Sequence, residues 1–159
     1  MLQRLAKFLW TILPQKYRLR LVRLSQPTFT VSVAAIVFDY KGKVLLLKHV
    51  LRTTAGWGLP GGFINKGEQP ESAIRREIHE ETGLELENLE IFLVRTMGQH
   101  IEILFSATAN GEGRVLSREI TQLGWFSPEM LPSGLPGGQE TIIHKARKKM
   151  RFDNFSAAD

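Results

Sequence analysis

Glu77, Glu80 and Glu81 stand at spacings of i, i+3 and i+4. On a helix those spacings bring three carboxylates to one face. Like charges held this way repel by about 0.2–0.5 kcal/mol per pair. A cation offsets the repulsion, and crowded hard oxygen ligands suit Mg²⁺, with Mn²⁺ as a substitute. The acids lie within residues 62–84, GFINKGEQPESAIRREIHEETGL, directly after a glycine-rich run, Trp57-Gly58-Leu59-Pro60-Gly61-Gly62. Glycine allows a backbone to come close to an ion or a ligand.

The helix that must carry these acids is predicted from Pro70 to Thr82. Pro70 suits the first helical position, Glu71 complements the positive helix end, and Gly83 is a natural stop. Ile74 and Ile78, one turn apart, form its core edge. Ahead of it, Phe29–Phe38 and Lys43–His49 read as strands joined by a turn at Asp39–Gly42, and residues 50–61 as a loop. After it, Glu90–Thr96, Ile101–Thr108 and Thr121–Phe126 read as strands, with a turn at Asn110–Gly113. Ser127-Pro128-Glu129 opens a short helix, and Glu140–Met150 is the last one. Strands and helices mix without regular alternation, which argues for an α+β fold around a mixed sheet.

Composition narrows the options further. Hydrophobic residues make up 43% and charged residues 23% of 159 residues, as in an ordinary globular domain. With no cysteine, disulfides, thiolate metal sites and a cysteine nucleophile are excluded. The net charge of +5 is concentrated at the N-terminus. Residues 1–25 hold Arg4, Lys7, Lys16, Arg18, Arg20 and Arg23 and no acid, and the remainder carries 15 bases against 16 acids. A second basic cluster runs from Lys145 to Arg151. Residues 2–13 form an amphipathic helix by pattern, with Leu2, Leu5, Leu9, Ile12 and Leu13 on a broad apolar face. Pro14 ends it, and a second short helix follows over Gln15–Leu24. We therefore divide the chain into a basic helical extension, 1–25, and a domain, 26–159. The apolar face must be covered by the domain, by a second copy in a homodimer, or by an anionic membrane surface. RNA is a further partner suited to the basic charge. The longest clean apolar run, Val33–Phe38, is far too short to span a membrane, and no cleavage site follows Met1–Leu13. The expectation is a cytoplasmic protein.

Residues 62–84 resemble the Nudix box, G-x5-E-x7-R-E-U-x-E-E-x-G-U, where U is a bulky aliphatic. Gly62, Glu68, Arg76, Glu77, Glu80, Glu81 and Gly83 fill the fixed positions, and Ile78 and Leu84 are the aliphatics. Chance agreement at seven set positions is on the order of 10⁻⁹ per start site. The resemblance extends over roughly residues 29–150 and implies an α/β/α sandwich. It also implies a metal-dependent pyrophosphohydrolase acting on a nucleoside diphosphate linked to another moiety, such as a nucleoside triphosphate or a nucleotide sugar. It implies Mg²⁺ held by Glu77, Glu80, Glu81 and the carbonyl of Gly61. Glu68 supports that network from its loop, Arg76 orients the carboxylates, and Glu80 or Glu81 serves as the general base. Glu119, in a loop six residues before Trp125, is a second candidate base or ligand. Trp57, His100 and Trp125 are candidate substrate contacts. His79 points away from the acids and reads as surface. The alternative function is a non-catalytic or RNA-end-directed module that uses the basic N-terminal helices.

Overall fold

Both faces of the first strand are apolar, which is the pattern of a strand covered on each side. In the computed structural model, which describes residues 2–50, 56–136 and 138–156, that strand is β1 (Thr30–Phe38). Val33, Ala35 and Val37 enter one core, and Ile36 and Phe38 enter another. The neighbouring strand β2 (Val44–His49) divides the same way: Leu45 and Leu47 face the first core, Val44 and Leu46 the second.

These two strands pair antiparallel at Phe38 and Val44. Beyond that point each has a different partner. Ser32, Val33 and Ala34 of β1 pair with Phe63, Gly62 and Gly61 of β4 (Gly61–Phe63). Leu47 and Lys48 of β2 pair with Gly58 and Trp57 of β3 (Trp57–Gly58). The glycine-rich segment is thus a short hairpin seated in a fork between β1 and β2. Gly61 tolerates that seat for lack of a side chain. Its φ is +149°, and a Cβ there would lie 2.2 Å from the Val33 carbonyl oxygen. The expected loop over residues 50–61 therefore contains paired backbone at 57–58 and 61. Residues 51–55 of it lie outside those described.

The helix α3 (Pro70–Thr82) lies over the first core, where Ala73, Ile74 and Ile78 are fully buried. On the opposite face, α4 (Gln139–Ser156) contributes Ile142, Ile143 and Ala146 to the second core. β5 (Glu87–Met97), β6 (His100–Thr108) and β7 (Ile120–Phe126) complete a sheet of seven strands among the described residues. The path runs β3-β2-β1-β6-β5, with β7 on β2 and β4 on β1. Two helix layers around a mixed sheet make the expected α/β/α sandwich.

Three elements differ from the reading by pattern, the last helix among them, which continues past Met150 to Ser156. The segment opening at Ser127 is a turn rather than a helix, closed by the Met130 N–H on the Ser127 carbonyl at 2.8 Å. Pro132 and Pro136 follow within a few residues and stop a helix from propagating. Strand β5 starts three residues earlier than Glu90, because Glu87 pairs with Thr108 across a register shift.

The residues separate into two units, Met1–Thr30 and Val31–Asp159. In the first, α1 (Leu2–Ile12) and α2 (Gln15–Ser25) flank Pro14, whose carbonyl accepts from Tyr17 and Arg18. No residue of α2 is buried. The side chains of Leu2, Leu5 and Leu9, on which the broad apolar face of α1 depends, lie outside the described residues.

The fork predicts a specific sensitivity. Gly61→Ala forces a methyl group against the β1 backbone, and we expect a loss of stability of about 2 kcal/mol or more in urea unfolding. Gly42→Ala serves as the control, because that glycine has φ +75° but open space around its Cβ position. It is expected to cost only about 1 kcal/mol.

Candidate active site

Helix α3 delivers the box residues through ordinary end chemistry. Pro70 sits in its first turn, and Gly83 closes it at φ +70° with its N–H on the His79 carbonyl at 2.8 Å. The last carbonyls are satisfied from the following loop. Arg114 N–H donates to Thr82 and Leu116 N–H to Glu81, both at 3.0 Å.

At the centre of the acid group is Arg76. Its Nε and Nη2 bond both oxygens of Glu68, at 2.8 and 3.0 Å. Nη1 donates to Glu77 at 2.8 Å and to Glu80 at 3.3 Å, and Nη2 also reaches the Phe63 carbonyl at 3.3 Å. One guanidinium therefore meets three carboxylates. The forked contact to Glu68 is the strong one, since two parallel charge-assisted bonds fix the plane of both groups. The Arg76 bond, followed by the Asn65 N–H on the same carboxylate, lowers the Glu68 pKa from 4.5 to about 2. The same contact with Glu68 raises the Arg76 pKa above its ordinary value.

The three helix acids differ in setting. Glu81 is on the buried face of α3, 6% exposed. The Glu77 side chain is 18% exposed and that of Glu80 58%. Gly62 is the residue that lets Glu77 approach the sheet: a Cβ there would lie 2.4 Å from the Glu77 carboxylate. Gly62 thus gives up its side chain to make space rather than to gain backbone freedom. Among the described residues no three acidic or histidine side chains gather into a metal-holding group, and Arg76 occupies the place between Glu68, Glu77 and Glu80.

Other candidates fall in different surroundings. Trp57 stacks edge-on against Phe126, centroids 4.9 Å apart, on the α4 core. Trp125 packs on the α3 core, and its indole N–H donates to the Glu112 carbonyl at 3.1 Å. Both tryptophans therefore have packing duties. His100 exchanges a hydrogen bond with Ser32 Oγ at 2.9 Å and meets the Phe63 ring edge-on at 6.0 Å. Glu119 is exposed. Its loop is tied to the end of β2 by the Val50 N–H on the Glu119 carbonyl, and no described hydrogen bond joins its carboxylate to the box. His79 pairs with Glu85 at 2.8 Å on the surface.

Sequence reasoning did not single out Phe63 or Gln139. Phe63 is 65% exposed next to the glycines, and Gln139 is a buried amide whose Oε1 accepts the Leu59 N–H at 3.1 Å. Position directly after the glycine pair could have flagged Phe63. For Gln139 no local signal exists, because its partner is 80 residues away.

This combination of a two-sided sheet, a glycine hairpin in its fork and an arginine-centred acid helix defines a class of hydrolase. The NUDIX domain model matches residues 28–146, and the chain belongs to that family. A MutT-like protein of Streptomyces ambofaciens is 33% identical over 107 residues, 66% of this chain and 68% of that protein. An RNA pyrophosphohydrolase of Bartonella clarridgeiae is 40% identical over 60 residues, 33% of this chain and 35% of the relative. The crystal structure of a MutT NUDIX hydrolase from Burkholderia pseudomallei superposes with a TM-score of 0.64 at 31% identity, covering 72% of this chain and 95% of that one. The chain is a Nudix hydrolase. No helix among the described residues is long and apolar enough to cross a membrane.

The Arg76–Glu68 fork has a titration consequence. Because the folded pKa of Glu68 is depressed, the stability it contributes is present above about pH 4.5 and is lost as the pH falls toward 2. Carboxyl-resolved NMR should place the Glu68 midpoint near 2, and in Arg76→Ala it should rise toward 4.5. A midpoint near 4.5 in the parent protein would show that the fork does not form in solution.

Proposed function

We propose that this site hydrolyses a pyrophosphate bond in a nucleoside diphosphate linked to a further group, using Mg²⁺ or Mn²⁺ at Glu77, Glu80, Glu81 and the Gly61 carbonyl. The observation that carries the reading is the contact of Gly62 with Glu77. It sets an acid-bearing helix face against a glycine backbone with no side chain between them. The donor set is wholly oxygen, as hard divalent ions prefer. A bound divalent ion neutralises charge on the phosphoryl oxygens and lowers the pKa of the attacking water.

The residues of the chain have separable tasks in this reading. Glu68 holds Arg76 by two bonds, so the guanidinium keeps its place when another partner leaves. Glu80 is exposed and bound to Arg76 only by a 3.3 Å contact, so its carboxylate turns away at small cost. Glu77 keeps one oxygen on Arg76 and approaches Gly62, which aims it at the hairpin. Glu80 or Glu81 accepts the proton of the attacking water, and Glu119 is the further candidate for that role. Trp57 and Trp125 act through packing, and His100 borders the hairpin through Ser32 and Phe63.

A second reading directs the same chemistry to RNA 5′ ends. It is favoured by six bases and no acid in residues 1–25 and by the relative named RNA pyrophosphohydrolase. Removal of residues 1–25 should then leave mononucleotide hydrolysis unchanged and weaken RNA binding, with a smaller salt dependence. Equal RNA affinity with and without the extension would exclude this second reading.

For the main reading, Glu80→Gln and Glu81→Gln should each lower kcat by about 10²–10⁴-fold while circular dichroism stays unchanged. Near-normal turnover in both would sink the assignment. Chelation by EDTA should abolish hydrolysis, and Mg²⁺ should restore it; resistance to EDTA would contradict the metal requirement. A Glu119→Gln variant whose pH–rate profile matches the parent would remove Glu119 from the list of bases.

A further inference from the structure

On the sheet face opposite the acid helix, a cavity of about 180 Å³ opens beside the glycine hairpin. Cross-strand register explains the division. Val33 and Gly62 point toward α3, where Glu77 meets Gly62. Ser32, Ala34, Gly61 and Phe63 point toward α4, and they border this cavity together with Leu59, Glu102 and Gln139. Gly62 borders the cavity as well and is in contact with Glu77 from the other side. A ligand in the cavity therefore lies one glycine away from the carboxylate group. Whole-ligand pockets commonly exceed about 300 Å³, so a cavity of this size takes one ring system and not an entire nucleotide.

Its chemistry is selective. Leu59 and Ala34 supply apolar floor, and Phe63 supplies an exposed aromatic face. Three polar side chains remain, and one of them, Ser32, has its Oγ joined to His100 Nε2 at 2.9 Å. Glu102, 15% exposed, is held by Arg95 Nε at 2.6 Å on Oε2, a cross-strand ion pair that orients the carboxylate. That pair leaves Oε1 and the second lone pair of Oε2 as acceptors. Gln139 spends its oxygen on the Leu59 N–H, which leaves its amide NH₂ as donor. Besides Ser32, the cavity wall therefore offers one carboxylate acceptor and one neutral donor.

We propose that this cavity reads the nucleobase of the substrate and that the Arg95–Glu102 pair makes it selective for guanine. Guanine presents two adjacent N–H donors, N1–H and the 2-amino group, to a carboxylate, and beside them O6, which accepts from an amide. Adenine offers one donor group next to the N1 lone pair, so the carboxylate would face an acceptor. Phe63 stacks on the ring and serves either purine. Glu102 and Phe63 are specificity and binding residues, not catalytic ones. The proposal rests on the hydrolase reading for its substrate class.

Binding separates the two ideas. In calorimetric titration without turnover, GDP should bind about 10- to 100-fold tighter than ADP. GDP should also exceed IDP, which lacks the 2-amino group, by about tenfold. Glu102→Gln should bring GDP close to ADP while leaving ADP affinity unchanged. In hydrolysis, it should raise KM for GTP and leave kcat at saturation as in the parent. Phe63→Ala should weaken GDP and ADP alike, about tenfold, with the ratio kept. Equal affinity of the parent for GDP, IDP and ADP would overturn the proposal, whether or not the variants fold. So would a Glu102→Gln loss shared equally by both purines. Absence of hydrolysis with every nucleotide would overturn the hydrolase reading, and the GDP-to-ADP ratio decides the cavity separately.

Discussion

The acid helix depends on the placement of Arg76. Three carboxylates, Glu68, Glu77 and Glu80, converge on one guanidinium within 2.8–3.3 Å. Without that cation the group would repel itself, and with it the helix face is held ready. The contacts are graded. Glu68 is bound by a fork, Glu77 by one short bond and Glu80 by one long bond at an exposed position. Such a gradient lets one acid leave while the arginine stays anchored, which is what a site that exchanges partners requires.

The sheet supplies the second constraint. β1 and β2 could have run side by side for their whole length, yet each turns to a short partner strand beyond Phe38 and Val44. The fork admits a hairpin whose residues alternate between the two faces. Gly62 lies under the carboxylates, and Gly61 and Phe63 face the cavity under α4. Period-2 geometry thus divides one tripeptide between two jobs on opposite sides of a single layer. Each glycine is required for a different reason: at Gly61 the obstacle is a backbone carbonyl, at Gly62 it is a side-chain carboxylate.

The local part of this arrangement was legible in the residues. The bounds of α3, its proline start and its glycine stop follow from end chemistry, and the box spacing announces the acid face. The strands β1, β2, β6 and β7 were found to within a residue or so by their runs of apolar and β-branched residues between turn signals. The turn after Ser127 was misread because a cap, a proline and an acid are shared by helix starts and by simple turns. The short strands β3 and β4 gave no pattern of their own, since two or three residues carry no period and glycine is a weak strand former. Trp57 and Trp125 read as candidate stacking residues by type, and the fold shows that each also packs, Trp57 on Phe126 and Trp125 on the core under α3.

By itself the sequence determined the chemistry that one helix can carry, because side chains at i, i+3 and i+4 share a face whatever surrounds them. It could not determine that Arg76, from the same helix, would reach back to Glu68 in the loop and forward to Glu77 and Glu80. Nor could it bring Glu102, Gln139 and Phe63 to one cavity. Those residues come from a strand, a helix start and a hairpin far apart along the chain. Their meeting is decided by which strands pair and by which face each residue takes. That depends on long-range register, which no local spacing encodes.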